Sequence, residues 1–242
     1  MIDKIRYKNI TFNNFSEKDF PNLMNDFGLF TFPAAPPLAT LELNSEYHNS
    51  LISSDYVFFD SGFFVLLLRY LKGIKVNKFS GYKFLKLLFN FLTFNKNKKI
   101  FIVDPYPKNS QNNLEYFKKL GCENVKNYVA PIYDPISIKD EILLREIHDY
   151  QPEFIIINLS GGVQEVLGNF LKNNINFKSK IICTGGAISY FTKDQAPIND
   201  IIDKLYLGWF FRLLFNPIVF IPRLLKSLSL FFKVLKDKVE II

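Results

Sequence analysis

Between Lys99 and Thr184 the chain alternates short apolar runs with longer amphipathic ones, in an order that few folds can accommodate. Lys99 to Val103, Val125 to Ala130, Phe154 to Leu159 and Lys180 to Thr184 are rich in β-branched and aromatic residues and read as strands. Asn109 to Leu120, Ile138 to Tyr150 and Val163 to Asn173 lie between them and read as helices. Strand and helix in strict alternation imply βαβ units, hence a parallel sheet with both faces covered. The expected fold class is therefore α/β, a Rossmann-like parallel sheet flanked by helices. Ligands of such sheets bind beyond the carboxyl ends of the strands. Here those ends are Asp104 to Pro107, Pro131 to Asp134, Ser160 to Gly162 and Gly185 to Ala187.

Upstream the pattern is less regular. An early strand is expected around Ile5 to Phe12, then a Pro-rich turn after Thr31 (Pro33, Pro36, Pro37) and a helix over Leu38 to Ser53. A short strand, Tyr56 to Phe59, runs into Asp60, Ser61 and Gly62, and helices follow at Phe63 to Leu71 and Tyr82 to Phe94. Asp60 has two readings. A carboxylate at the mouth of a cleft is a general base if burial raises its pKa, but Asp is also a common helix N-cap. Ser160-Gly161-Gly162 before a helix, and Gly185-Gly186-Ala187 after the next strand, are turns where backbone N–H groups can approach a phosphate or a sugar.

From Lys204 to Lys236 the chain carries Arg212, Arg223, Lys226 and Lys233, no Asp or Glu, and many large apolar residues. Arg212, Asn216 and Pro217 interrupt the apolar run well short of the about 20 residues that cross a bilayer. The composition fits a basic amphipathic helical appendage at a membrane surface, with Leu224 to Leu235 as the interfacial helix; a core helix with a solvated tail is the other reading. The division expected is a core over residues 1–200 and a C-terminal membrane-associating segment over 201–242.

Other classes are disfavoured. The 30 basic and 23 acidic residues give a net charge of +7, which suits anionic partners. The basic residues form no recognition helix or aromatic β-surface motif, so no nucleic-acid partner is expected. There is no GxGxxG after the strand at residues 99 to 103 and no GxxxxGK[ST]. Cys122 and Cys183 lack CxxC spacing and read as free thiols of a reducing cytosol; with only His48 and His148, no metal site is expected, nor any other cofactor.

The ordered series Pro152-Glu-Phe-Ile-Ile-Ile-Asn-Leu-Ser, Gln164-Glu165, Gly185-Gly186-Ala187, Ala196-Pro197, Trp209, Arg212-Leu-Leu and Pro217 resembles the WecG/TagA/CpsF family. The resemblance runs from about Thr31 to Arg223. It implies an inverting glycosyltransferase that moves a hexose-type sugar, N-acetylmannosamine or a relative, from a UDP-sugar donor to a polyprenyl-diphosphate-linked acceptor. The setting implied is cell wall or surface polysaccharide synthesis, with a cytoplasmic enzyme attached peripherally to the inner face of the cell membrane. Carried over by position, Asp60 is the base, with Thr31 beside it as a catalytic residue. Gln164, Glu165, Gly185, Gly186 and Lys78 serve the donor, and Arg212 and Arg223 the lipid diphosphate.

The chain also departs from the family's pattern. The family's asparagine after the threonine is Pro33 here, its Asp-Gly is Asp60-Ser61-Gly62, and an arginine and an aspartate become Lys78 and Lys83. Its Gly-Gly after the first βα strand is Asp104-Pro105, its Ser-Pro-Lys is Gly161-Gly162-Val163, and an aspartate becomes Ser189. These changes leave open a different donor sugar, or an inactive relative that binds nucleotide-sugar or lipid as an assembly partner.

Overall fold

Three of the four runs between residues 99 and 184 are apolar and buried on both faces and so must be covered on both, while Val125–Val129, with Lys126 and Asn127, lies at the sheet edge. The computed structural model describes residues 3–192 and 199–242. Among the described residues the strands are β1 (Lys4–Tyr7), β2 (Ile10–Asn13), β3 (Gly28–Thr31), β4 (Tyr56–Phe58), β5 (Ile100–Asp104), β6 (Val125–Val129), β7 (Phe154–Ile157), β8 (Lys180–Cys183) and β9 (Val239–Ile241). They form one sheet in the order β6-β5-β7-β8-β3-β4-β2-β1-β9. The run from β6 to β2 is parallel, and β1 pairs antiparallel with both β2 and β9.

The helices are α1 (Phe20–Leu23), α2 (Ala35–Leu38), α3 (Ser45–Ile52), α4 (Gly62–Lys72), α5 (Gly81–Phe94), α6 (Pro107–Lys119), α7 (Glu141–Tyr150), α8 (Gln164–Asn174), α9 (Asp200–Lys204), α10 (Gly208–Phe215) and α11 (Pro217–Lys236). The period of two along the strands sorts them into two cores. Phe101, Val103, Ile155, Ile157 and Ile181 face a core shared with α2, α3, α4, α7, α8 and the end of α11. Ile100, Ile102, Phe154, Ile156 and Ile182 face the other, with α1, α5 and α6. In that second core Phe32 stacks on Phe58 with ring centroids 4.3 Å apart, and Phe58 meets Phe79 and Phe84. This packing fixes the end of β4 against the start of α5.

Several expectations change. The strand at Ile5 to Phe12 is a hairpin, turned by Lys8 and Asn9 with φ of 48° and 62°. The helix expected over Leu38 to Ser53 starts earlier, at Ala35, because Pro36 and Pro37 fit a first turn. It breaks at Thr40 and restarts as α3 where the Asn44 side chain accepts the Tyr47 N–H at 2.9 Å. Strands β3 and β9 were not expected. The amphipathic helix begins at Pro217 rather than Leu224, capped by Asn216.

The C-terminal stretch is tied into the rest of the molecule. Leu230 and Val234 of α11 are fully buried in the first core, and β9 extends the sheet beside β1. Residues 201–242 are therefore not wholly an appendage: one face of α11 and the closing strand belong to the packed unit. Ala196-Pro197 lies outside the described residues.

Candidate functional site

Asp60 follows β4 and is not the cap of the helix that comes next. Ser61, not Asp60, is the N-cap of α4: its Oγ accepts the Phe64 N–H at 3.2 Å. The Asp60 carboxylate is half-buried and turned toward the start of α5, where Oδ1 accepts the Gly81 N–H at 2.8 Å. Among the described residues Oδ2 has no hydrogen-bond partner. Burial pushes the carboxyl above its ordinary range, opposed by the Gly81 N–H and by the charges of Lys78 and Arg212. The N–H at the start of α5 and the charges of Lys78 and Arg212 thus act on one carboxylate at a strand end.

Lys78 does not stand free. Its ammonium donates to Asp203 Oδ1 at 2.5 Å and to the Asp203 carbonyl at 2.8 Å, and lies 5.4 Å from the Tyr206 ring centre. Ser80, the N-cap of α5, donates to Asp203 Oδ2 at 3.0 Å. Gly62 makes the close approach of Tyr206 feasible, since a Cβ there would sit 2.6 Å from the Tyr206 ring. Lys83 pairs with Glu17 at 3.0 Å, and Lys86 with Asp200 at 2.6 Å. The acidic face of α9 therefore docks on the basic start of α5, so Lys78 and Lys83 have acidic partners within the chain itself.

Arg212 and Arg223 come together from α10 and α11. Arg212 donates through Nε to the Tyr190 hydroxyl and lies 5.0 Å from that ring. The Phe220 ring sits between the two guanidinium groups, 5.9 Å from Arg212 and 5.3 Å from Arg223. Burial, with Arg212 second, pulls the Arg223 pKa down. Among the described residues neither arginine has an ion-pair partner. Two uncompensated guanidinium groups close together are suited to an anion with several oxygens.

The remaining expected residues lie beneath this surface. Gln164 and Glu165 are both buried, and their polar atoms hold the neighbouring turns: Gln164 Oε1 accepts the Gly185 N–H at 2.6 Å, and Glu165 Oε2 accepts the Gly162 N–H at 2.7 Å. Those two N–H groups, expected to face a phosphate, point instead at side chains. Gly185 needs its left-handed φ of 59°, whereas Gly186 has φ −71°, open to any residue. Thr31 is fully buried; its hydroxyl donates to the Tyr56 carbonyl and Ser54 Oγ, both at 3.3 Å. It braces β4 from below.

Burial raises Glu165 from 4.5 to about 7, against the opposing hydrogen bonds from Gly162 and Gln164. A raised carboxylate is a penalty on the charged form, so its effect is absent below 4.5 and grows as pH climbs to about 7. The unfolding free energy of the wild type, from denaturant titrations, should fall over that window by about 3 kcal/mol at about 1.4 kcal/mol per pKa unit. In Glu165→Gln that part of the pH dependence should vanish; an unchanged profile would place the titration elsewhere.

Sequence reasoning did not single out Ser80, Tyr190, Asp203 or Tyr206. Ser80-Gly81 before an amphipathic run is a capping signal that points to the first; the others have no local signal. Among the described residues no three His, Cys, Asp or Glu gather as metal ligands. The model of the family described as "Glycosyl transferase WecG/TagA/CpsF family" matches residues 4–241, nearly the whole chain. No curated protein matches significantly.

Proposed function

The chain belongs to the WecG/TagA/CpsF family and is a glycosyltransferase of cell-surface polysaccharide synthesis; from that premise we propose an inverting transfer of a hexose-type sugar from UDP to a polyprenyl-diphosphate-linked saccharide. The observation that carries this reading is the Asp60 carboxylate, which leaves the cap of α4 to Ser61, holds the start of α5 with one oxygen and feels the charges of Lys78 and Arg212. Asp60 takes the proton from the acceptor hydroxyl as that oxygen bonds to the anomeric carbon. The bond from that carbon to the UDP oxygen breaks, and UDP leaves with the electron pair. Gly185 and Gly186 line the nucleotide side. Gln164 holds that turn, Glu165 holds the neighbouring one at Gly162, and Thr31 positions the strand that carries the base.

Lys78 receives the negative charge on the departing diphosphate, exchanging Asp203 for phosphate oxygens. Arg212 and Arg223 hold the lipid-linked diphosphate of the acceptor. No helix among the described residues is long and apolar enough to cross a membrane. The exposed side of α11 brings the enzyme to the anionic cytoplasmic leaflet, where such an acceptor lies.

Arg223→Ala tests the acceptor assignment. A charge-assisted hydrogen bond of about 1.5–3 kcal/mol corresponds to a rise of about ten- to a hundredfold in KM for the lipid-linked acceptor. UDP affinity, measured by calorimetry, should not change. An unaltered acceptor KM would remove Arg223 from the site.

A further inference from the structure

The two strands at the middle of the βα half end in polar side chains where their alternation calls for apolar ones. On the face under α6, β5 presents Ile100, Ile102 and then Asp104; β7 presents Phe154, Ile156 and then Asn158. Val103 pairs with Ile157, so Asp104 and Asn158 follow on the next rung. From α6, buried Phe117, Asn113 and Ser110 meet them on one helical stripe. Asp104, Asn113 and Asn158 are at most 6% exposed.

Their hydrogen bonds converge on one atom. Asp104 Oδ1 accepts from Asn113 Nδ2 at 2.7 Å and from Asn158 Nδ2 at 2.8 Å. Burial raises the Asp104 pKa to about 6, against the hydrogen bonds of Asn158, Asn113 and Ser110, the last itself accepting from Asn127 at 2.8 Å. Asp104 Oδ2, Asn113 Oδ1 and Asn158 Oδ1 are buried and have no hydrogen-bond partner. All three are acceptors, and the amides have already turned their N–H groups to the carboxylate. Among the described residues no basic side chain forms an ion pair with Asp104. A buried negative charge without a counter-charge is among the costliest arrangements a core can hold.

We propose that Asp104 Oδ2 and the Oδ1 atoms of Asn113 and Asn158 form a binding site for a monovalent cation, sodium or potassium. Oxygen donors select a hard cation. One carboxylate among neutral amides supplies a single negative charge, which matches one positive charge; sites for divalent ions generally gather more carboxylates. The location is also specific. After β5 the chain passes into α6 on one face of the sheet, and after β7 into α8 on the other. Such a divergence opens a crevice between adjacent strand ends, and the cation would lie at its floor. It stands where the family pattern has Gly-Gly and this chain has Asp104-Pro105, and it takes no part in the transfer assigned to Asp60.

Thermal unfolding of the full chain in sodium, potassium and N-methylglucamine chlorides, at equal ionic strength, tests the site. A saturable rise of a few degrees with sodium or potassium is expected for the wild type. Asp104→Asn should show one Tm in all three salts. Asn158→Asp adds a second carboxylate and should gain stabilisation by calcium that the wild type lacks. One wild-type Tm in all three salts would overturn the proposal. So would a stability-neutral Asp104→Asn that keeps the same salt response, because neutralisation would then come from a proton on Asp104.

Discussion

Asp60→Asn should lower sugar transfer by about a hundred- to ten-thousandfold, the range associated with loss of a general base, with UDP affinity and thermal stability close to wild type. The substitution keeps shape and volume, and an amide oxygen can still accept the Gly81 N–H that Asp60 Oδ1 now accepts at 2.8 Å. What it removes is the lone pair that takes the acceptor proton. Stability should not suffer, because the native environment already disfavours the charged carboxylate: burial outweighs the Gly81 N–H, Lys78 and Arg212. Fold and chemistry therefore separate in this variant. The same raised pKa moves the acid limb of the rate profile of the wild type above the range of an ordinary Asp, since the base works only when deprotonated. Product formation from radiolabelled donor, with calorimetric UDP binding as control, reads both quantities. Wild-type turnover by the Asn variant would remove Asp60 from the reaction.

The parts of this molecule that were legible in the sequence are those whose pattern is local. β5, β7 and β8 are nearly continuous apolar runs, and the helices before and after them repeat at helical spacing, so type and order followed from period. β3 is only Gly28–Thr31 and exists through pairing with β8 and β4 on either side. Its entry is equally non-local: Gly28 has φ 109°, and the Asp55 carboxylate accepts the Leu29 N–H at 2.7 Å. The Lys8–Asn9 turn lacks the glycine that advertises such hairpins, although both residues take positive φ. The apolar run does break at Pro217, since α10 stops at Phe215, but after the Asn216 cap Pro217 also opens α11, in the first turn, where no N–H is missed.

The candidate site divides in the same way. Asp60 was visible as a carboxylate at a strand end, but not that Ser61 would take the α4 cap and leave Asp60 turned to the start of α5. The Lys78–Asp203 pair spans 125 residues, and no spacing rule connects them. The Gln164-Glu165 pair was visible as a motif, but not its orientation: both side chains are buried and hold Gly162 and Gly185 from within.

Changing Ile221, Leu225, Leu228 and Phe232 together to Gln should abolish most binding to anionic vesicles and leave the fold intact. These residues, with Ile218 and Leu235, recur every three or four positions along α11 and are all exposed. The opposite side of the helix carries Ser227, Leu230 and Val234, which are buried, so the packed face and the exposed apolar face of α11 are distinct. Lys226 and Lys236 are exposed on the same helix, placed to meet lipid headgroups. If each apolar side chain contributes about 1 kcal/mol at the interface, less than the about 1.5–3 kcal/mol of full burial, the four together contribute about 4 kcal/mol, or about a thousandfold in affinity. Removing the end of the helix outright cannot test this, because it also takes away Leu230, Val234 and β9; Leu230→Ala alone should cost about 2–5 kcal/mol of stability. Co-sedimentation with vesicles of anionic and of neutral lipid measures the effect, and transfer to a short-chain, water-soluble acceptor should persist in the variant. Undiminished vesicle binding would mean that the apolar stripe serves another contact, and the acceptor would then have to reach Arg212 and Arg223 without the membrane holding the enzyme beside it.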